Sequence, residues 1–295
     1  MVAAIPAYNE EKNIGRVVLL AQRGVDKVIV CDDGSNDMTA DIAEKLGADV
    51  VRHERNMGYG VAMQSLFKRA REMDADVLVT LDGDGQHNPS DILAIIKPIL
   101  ENNADIVIGS RFLRGEGTKE IPLYRQVGIK AITKLVVAAS NCGVSDAQNG
   151  FRAYGRRALE KLKLHERGMG VSVEILLKAK EQYLRVMEVP VVCNYKGLDT
   201  STHTPLAHGV SVIMSVVKLV VEDHPLLFLG MPGVVFLLIG ALFGVWMLQI
   251  YALEHRIVTN VALASMAFTL VGLFAVFTGI TLYAITKITE RITKQ

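Results

Sequence analysis

The densest chemistry in the chain lies in Asp82-Gly83-Asp84-Gly85-Gln86-His87. Carboxylates two residues apart in a turn can converge on one ligand, and Gly83 between them puts no side chain in the way. A hard divalent cation, Mg2+ or Mn2+, takes carboxylate oxygen and shares its shell with diphosphate oxygens. Gln86 offers a neutral oxygen beside it. His87 reads either as a further ligand or as a hydrogen-bonding residue behind the ligands. A solvated Asp-Gly turn would use the same residues, but this one directly follows a β-rich run. A second polar turn, Asp32-Asp33-Gly34-Ser35-Asn36-Asp37, supplies acceptors for ribose hydroxyls or base donors. Asn36 or Asp37 could instead cap a helix starting near Met38. Asn56-Met57-Gly58-Tyr59-Gly60 places two glycines where a helix N-terminus could approach a nucleotide, or where the backbone alone requires them. Neither a GxGxxG nor a GxxxxGK[ST] run is present, so dinucleotide and P-loop readings have no support.

These turns need elements to hold them. Short β-rich runs cover 2–5, 27–31, 48–52, 77–81 and 106–110, with helical patterns at about 10–22, 38–46, 60–73 and 90–101. That rhythm predicts an α/β domain with a mostly parallel sheet covered on both faces. Ligands of such sheets bind past the C-terminal strand ends. Pro6-Ala7-Tyr8-Asn9-Glu10, Asp32-Asp33, Asp82-Gly83-Asp84 and Gly109-Ser110-Arg111 all fall there. Charge is divided along the chain: residues 1–110 carry 11 basic and 18 acidic residues, and residues 111–167 carry 12 and 5. The first stretch suits metal or sugar hydroxyls and the second suits phosphates, although a solvated surface could show the same split. With no basic-aromatic stripe or base-reading module, no nucleic-acid partner is expected. Cys31, Cys142 and Cys193 are odd in number and widely spaced, as befits buried thiols in a reduced compartment.

The rest of the 295-residue chain has another composition. Pro225 to Leu253 and Ile257 to Thr286 are runs of 29 and 30 residues without Asp, Glu, Lys or Arg. About 20 apolar residues in a helix cross a hydrocarbon core of about 30 Å. The sequence therefore predicts a transmembrane hairpin with spans at about 226–250 and 259–285, against the alternative of two buried soluble helices. Leu206 to Val221 has apolar residues at three- and four-residue spacings and reads as an interfacial amphipathic helix, or as a packing helix of the soluble domain. Lys287, Arg291 and Lys294 after the second span place the C-terminus and the soluble domain in the cytoplasm. Met1 leads straight into the first β-rich run, so no signal peptide is expected. The domains are then 1–204, 205–224 and 225–295.

Taken together, Pro6-Ala7-Tyr8-Asn9-Glu10-Glu11, Asp32-Asp33-Gly34-Ser35 with Asp37 and Thr39, Asn56 with Gly58 and Gly60, and Asp82-Gly83-Asp84 with Gln86 resemble glycosyltransferase family 2, which has the GT-A fold. Gly109-Ser110-Arg111-Phe112 and Asn149-Gly150-Phe151-Arg152-Ala153-Tyr154 resemble its polyprenyl-phosphate branch, which includes dolichyl-phosphate mannose and glucose synthases. The resemblance covers roughly residues 2–224. It implies that Pro6, Ala7, Tyr8, Glu10, Asp32, Asp33, Asp82 and Gly83 bind the nucleotide sugar. It places Asp84 and Gln86 on a Mg2+ or Mn2+ ion, and Arg111, Arg125 and Arg152 around the acceptor phosphate or donor diphosphate. Asp82, Asp84, Arg111 and Arg152 form the catalytic set. The metal segment in this branch more often reads Asp-Ala-Asp-Leu-Gln-His-Pro-Pro; here Gly83, Gly85 and Asn88 replace three neighbours.

A lipid monophosphate is already an oxygen nucleophile at neutral pH and needs positioning more than a strong base. The expected reaction is inverting transfer of one hexosyl unit from a nucleotide sugar to polyprenyl or dolichyl phosphate. UDP-glucose or UDP-N-acetylglucosamine is favoured over GDP-mannose because of the altered metal segment. The bilayer is the expected partner, homo-oligomers are left open, and a catalytically silent nucleotide-binding scaffold is the alternative of another class. The 112–123 segment reads as a moving loop or a plain connector. Glu174 reads as a sugar ligand or a helix-end carboxylate.

Overall fold

A computed structural model describes residues 1–113, 126, 128–130, 133, 134, 136, 137, 142–192 and 225–293. The chain divides into two compact units, Met1–Val216 and Val217–Gln295. In the first, seven strands form one sheet: β1 (Val2–Ala7), β2 (Lys27–Asp32), β3 (Asp49–Arg52), β4 (Val77–Thr80), β5 (Ile106–Ser110), β6 (Arg152–Gly155) and β7 (Val186–Pro190). Their order is β3-β2-β1-β4-β6-β5-β7. The strand order reverses beside β1, leaving a crevice at the C-terminal edge. β6 alone runs antiparallel, pairing Thr80 with Arg152 and Ile108 with Arg152. The N-terminal end of β6 thus lies beside the C-terminal ends of β4 and β5.

The central strands are buried on both faces, which explains their near-continuous apolar runs. One face, with Ala3, Ile5, Val28, Val30, Val77, Val79 and Val107, packs against α1 (Ile14–Ala21), α2 (Thr39–Lys45) and α4 (Ile92–Leu100). On the other, Phe67 of α3 (Tyr59–Glu72) meets Tyr154 of β6 edge to face, with ring centroids 4.8 Å apart. α5 (Arg156–Lys161) and α6 (Val171–Glu181) complete the unit. The strands and helices expected over residues 2–110 are present with shifted ends. β6, β7 and α5 are additions that sequence periodicity did not indicate. α4 begins later than expected because Pro89–Asp91 forms a 3-10 turn capped by the Asn88 side chain.

In the second unit, a π-helical turn at Leu226–Gly230 leads into α7 (Met231–Glu254), and α8 (Thr259–Thr293) follows. Both helices are long and apolar enough to cross a membrane. Only 17% and 6% of their most apolar stretches are buried, which disfavours the soluble-core alternative. His255 in the left-handed region ends α7, its N–H donating to the Tyr251 carbonyl at 2.9 Å. The helices approach through small residues: a Cβ at Gly240 would stand 2.8 Å from the Thr269 amide nitrogen. Ser265 Oγ donates to the Gly240 carbonyl at 2.9 Å. The proposed amphipathic helix at 206–221 and residue Cys193 lie outside the described residues.

Cys31 is wholly buried in β2, and its thiol is pushed up to about 12, chiefly by burial and then by Asp33 and Asp32. Its alkylation therefore reports opening of the sheet. Phe67→Ala removes the ring packed on Tyr154 and should cost about 3–5 kcal/mol. Alkylation of Cys31, followed by peptide mass spectrometry, should accelerate on the order of 10²-fold or more.

Candidate active site

The Asp82–His87 turn leaves β4 with its first carboxylate recessed in the crevice; the Asp82 side chain is 34% exposed. Burial raises the Asp82 pKa, while the Tyr59 hydroxyl, Arg111 and Arg152 oppose the rise. Tyr59 Oη donates to Asp82 Oδ1 at 3.4 Å. Gly150, next to the start of β6, presses directly on this group: a Cβ there would lie 2.8 and 3.0 Å from the two Asp82 oxygens. Thr80 Oγ1 holds the Gly150 carbonyl at 2.7 Å. Asp84 Oδ1 accepts the Gln86 amide at 2.9 Å, which closes the turn around the two expected metal ligands. Gly83 sits against β1, where a Cβ would meet the Pro6 carbonyl at 3.2 Å and Ala7 Cβ at 3.3 Å.

Glu10 enters the same space from the end of β1. Burial raises its pKa; an Asn13 hydrogen bond opposes this, and the charges of Asp84, Asp37 and Asp82 add to it. Glu10 thus feels the charge of three other carboxylates, a field that a cation would relieve. Among the described residues, no three His, Cys, Asp or Glu side chains form a closed metal cage. One carboxylate, one amide and open positions suit Mg2+ or Mn2+, which keep diphosphate oxygens in their shells.

The two aspartates at the end of β2 have different surroundings. Asp33 is buried, and both its oxygens are engaged: Oδ1 with His53 Nδ1 at 2.6 Å and the Met57 amide at 3.0 Å, Oδ2 with the Gly58 amide at 2.9 Å. It braces the 53–58 loop, where a nucleotide contact had been expected. Asp32 Oδ1 is buried with no hydrogen-bond partner among the described residues. Loops 8–11 and 35–39 are stitched together by side chains. The Asn9 amide donates to Ser35 Oγ at 2.9 Å, the Glu10 amide to Thr39 Oγ1 at 2.7 Å and the Asn36 amide to Asn9 Oδ1 at 2.9 Å. Asp37 Oδ1 takes the Thr39 amide at 3.0 Å, the capping role the sequence suggested. Tyr8 lies half-buried in this stitched segment.

The expected arginines fall into three cases. Arg111, 7% exposed at the end of β5, makes a two-pronged ion pair with the fully buried Asp146, at 2.7 and 2.8 Å. Glu188 on β7 fixes Asp146 in turn, accepting the Ser145 and Asp146 amides at 2.8 and 2.9 Å. Arg152 departs from expectation. Its guanidinium is 1% exposed and donates to the carbonyls of Asn149, Ser172 and Ala147 at 2.7, 3.0 and 2.6 Å. It is a brace beneath the crevice, felt at Asp82 through its charge, where a direct phosphate contact had been expected. Arg125 lies outside the described residues, as does the loop beyond Leu113.

Sequence reasoning missed Asp146, Asn149, Glu188 and the supporting part of Tyr59. Glu174 proves to be structural: it is 4% exposed and accepts the His165 and Glu166 amides at 2.8 and 3.0 Å. The 165–168 loop that it shapes receives the Gly60 amide on the Arg167 carbonyl at 2.9 Å, and so seats Tyr59. His87 is not poised as a ligand, since both ring nitrogens are engaged with the protein.

The profile of Glycosyl transferase family 2 matches residues 3–163. A UDP-N-acetylglucosamine–dolichyl-phosphate N-acetylglucosaminyltransferase of Methanococcus voltae is 34% identical, over 71% of this chain and 89% of that protein. A dolichyl-phosphate hexose transferase of Haloferax volcanii is 31% identical over 76% and 95%. Among solved structures, glucosyl-3-phosphoglycerate synthase of Mycobacterium tuberculosis, in complex with Mn2+, UDP and phosphoglyceric acid, superposes with a TM-score of 0.57. It shares 24% identity over 74% of this chain and 77% of that one, a likeness of fold.

Removing the Asp33 carboxylate leaves two part-buried amides and His53 without their acceptor, a loss of about 1–3 kcal/mol. Asp33→Ala should therefore abolish hydrogen-exchange protection at the Met57 and Gly58 amides, and protection in β1 should persist if the effect is confined to the loop.

Proposed function

This chain belongs to glycosyl transferase family 2, and on that footing we propose that it transfers one hexosyl unit from a nucleotide sugar to a polyprenyl or dolichyl phosphate. The observation that carries the reading is the joining of two features in one chain. Carboxylates cluster in the turns past the strand ends, where Glu10 feels the charges of Asp84 and Asp82, and two helices long enough to span a bilayer follow. The relatives named for dolichyl-phosphate substrates support the lipid acceptor. The catalytic unit is read as cytoplasmic, from Lys287, Arg291 and Lys294 beyond the second uncharged run.

In this reading Asp32 takes an N–H of the base with its unpartnered oxygen. Pro6, Ala7, Tyr8 and Glu10 line the nucleotide. Asp82 faces the sugar across Gly83. Asp84 and Gln86 hold Mg2+ or Mn2+, which when bound neutralises charge on the departing diphosphate. Arg111, held rigid by Asp146, meets the acceptor phosphate together with Arg125. A phosphate oxygen attacks the anomeric carbon as the bond to the nucleoside diphosphate breaks, so configuration inverts and no glycosyl-enzyme forms. UDP-glucose or UDP-N-acetylglucosamine is the favoured donor.

A donor panel containing UDP-glucose, UDP-N-acetylglucosamine and GDP-mannose, assayed with polyprenyl phosphate and Mn2+ in detergent, tests this by mass spectrometry of the lipid product. Asp84→Ala should lower transfer at least about 10²-fold; full metal-dependent transfer by that variant would remove Asp84 from the site. NMR of the product should show an inverted anomer, and a retained one would reject direct displacement.

Asp82 also makes the reading sensitive to pH. The Tyr59 hydroxyl stabilises the Asp82 anion, so Tyr59→Phe raises the Asp82 pKa further. The anion is then lost at a higher pH as acid is added. The acid limb of the kcat/KM profile should move upward, and an unmoved limb would separate Asp82 ionisation from turnover.

A further inference from the structure

His87 is buried beneath the metal-binding turn, 7% exposed, with its ring stacked on Phe151 at 5.3 Å. The surrounding backbone dictates its hydrogen bonding. The Asp82 amide can only donate, and it points at His87 Nδ1 from 3.2 Å, so Nδ1 is the unprotonated nitrogen. The proton of the neutral ring is then on Nε2, which donates to Asn149 Oδ1 at 3.0 Å. Asn149 is oriented by the backbone in the same way. Its Oδ1 also accepts the Phe151 amide at 3.1 Å, and its Nδ2 donates to the Gly109 carbonyl. Asn149 is 2% exposed, and its own carbonyl receives Arg152 Nε at 2.7 Å.

The chain of bonds runs from Asp82, just past β4, through His87 and Asn149 to Gly109 on β5, with Phe151 and Arg152 of the β6 segment joined to it. No ladder hydrogen bond links β4 to β5 directly, because β6 lies between them. The bridge therefore sets the spacing between the 82–86 turn and the Gly109–Arg111 strand end. It leaves neither ring nitrogen of His87 for a metal.

We infer that His87 and Asn149 form a positioning pair that holds the donor turn and the acceptor strand end at reacting distance without touching either substrate. The inference rests on the transferase reading above. A displacement of about 1 Å between reactants can cost about 10²-fold in rate while binding is retained. Loss of the pair should thus appear in kcat, with donor KM and the Mn2+ requirement preserved.

The test uses the full chain in detergent with the donor that the wild type turns over, and compares His87→Ala, Asn149→Ala, the double variant and Asp84→Ala. Each single variant at His87 or Asn149 should lower kcat by about 10²-fold, with donor KM and the Mn2+ concentration for half-maximal rate changed by no more than about twofold. The double variant should be no slower than the slower single, because the two residues form one bridge. His87→Asn keeps an acceptor near the Nδ1 position and should recover part of the rate. It also carries the comparison if Cys31 labelling shows that His87→Ala is unfolded. A rise of about tenfold or more in the Mn2+ requirement of His87→Ala, matching Asp84→Ala, would make His87 a ligand and overturn the inference. Losses that multiply in the double variant would overturn it as well. If the wild type moves no sugar to polyprenyl phosphate from any donor, the transferase reading fails instead.

Discussion

An antiparallel strand wedged between two that run the other way sets its N-terminal end beside their C-terminal ends. β6 does this between β4 and β5, and so delivers Asn149, Gly150 and Arg152 to the crevice edge. A parallel strand there would have sent the same segment to the opposite edge of the sheet. The arrangement has a cost, because it buries a guanidinium. Isolated burial of a charge is unfavourable by several kcal/mol unless its donors are all engaged. Three backbone carbonyls meet Arg152, and they come from two segments, Ala147–Asn149 and the start of α6. The charge thereby ties α6 to the β6 entry.

That buried cation also shapes the electrostatics above it. Asp82 is recessed enough for burial to favour its protonated form, and Arg111 and Arg152 act against this. Neither needs to touch Asp82 to do so, since Coulombic attraction reaches farther in a protected crevice than in water. Glu10 instead feels the charges of Asp84, Asp37 and Asp82 as repulsion. Arg111 is itself balanced by the fully buried Asp146. On the proposed reading, an acceptor phosphate would meet a guanidinium already fixed in plane by Asp146.

Much of this was legible in the sequence. The β1, β2, β4 and β5 runs are apolar and bounded by polar turns, so their ends and the acidic residues on them could be placed in order. The hairpin was legible because two uncharged runs of 29 and 30 residues leave few alternatives. β6 was not, because Arg-Ala-Tyr-Gly begins with a charge and has no apolar alternation. The phosphate role expected of Arg152 came from the family resemblance alone. Only the backbone carbonyls around it, brought from Ala147 and Ser172 by the tertiary fold, turn it into a brace.

Asp32 and Asp33 show the same limit on a smaller scale. Adjacent residues of a strand end point to opposite sides, so identical side chains meet different surroundings. Asp33 turns toward His53 and the amides of Met57 and Gly58, and its oxygens are taken up there. Asp32 keeps a buried oxygen without a partner among the described residues. A buried acceptor left unmet costs roughly 1–3 kcal/mol, which a ligand donor recovers on binding. Uracil presents an N3–H and guanine an N1–H, so either base meets that demand. On the proposed reading, the choice between UDP and GDP donors would then rest on contacts around the rest of the base, with Asp32 selecting only for a base that carries such a donor.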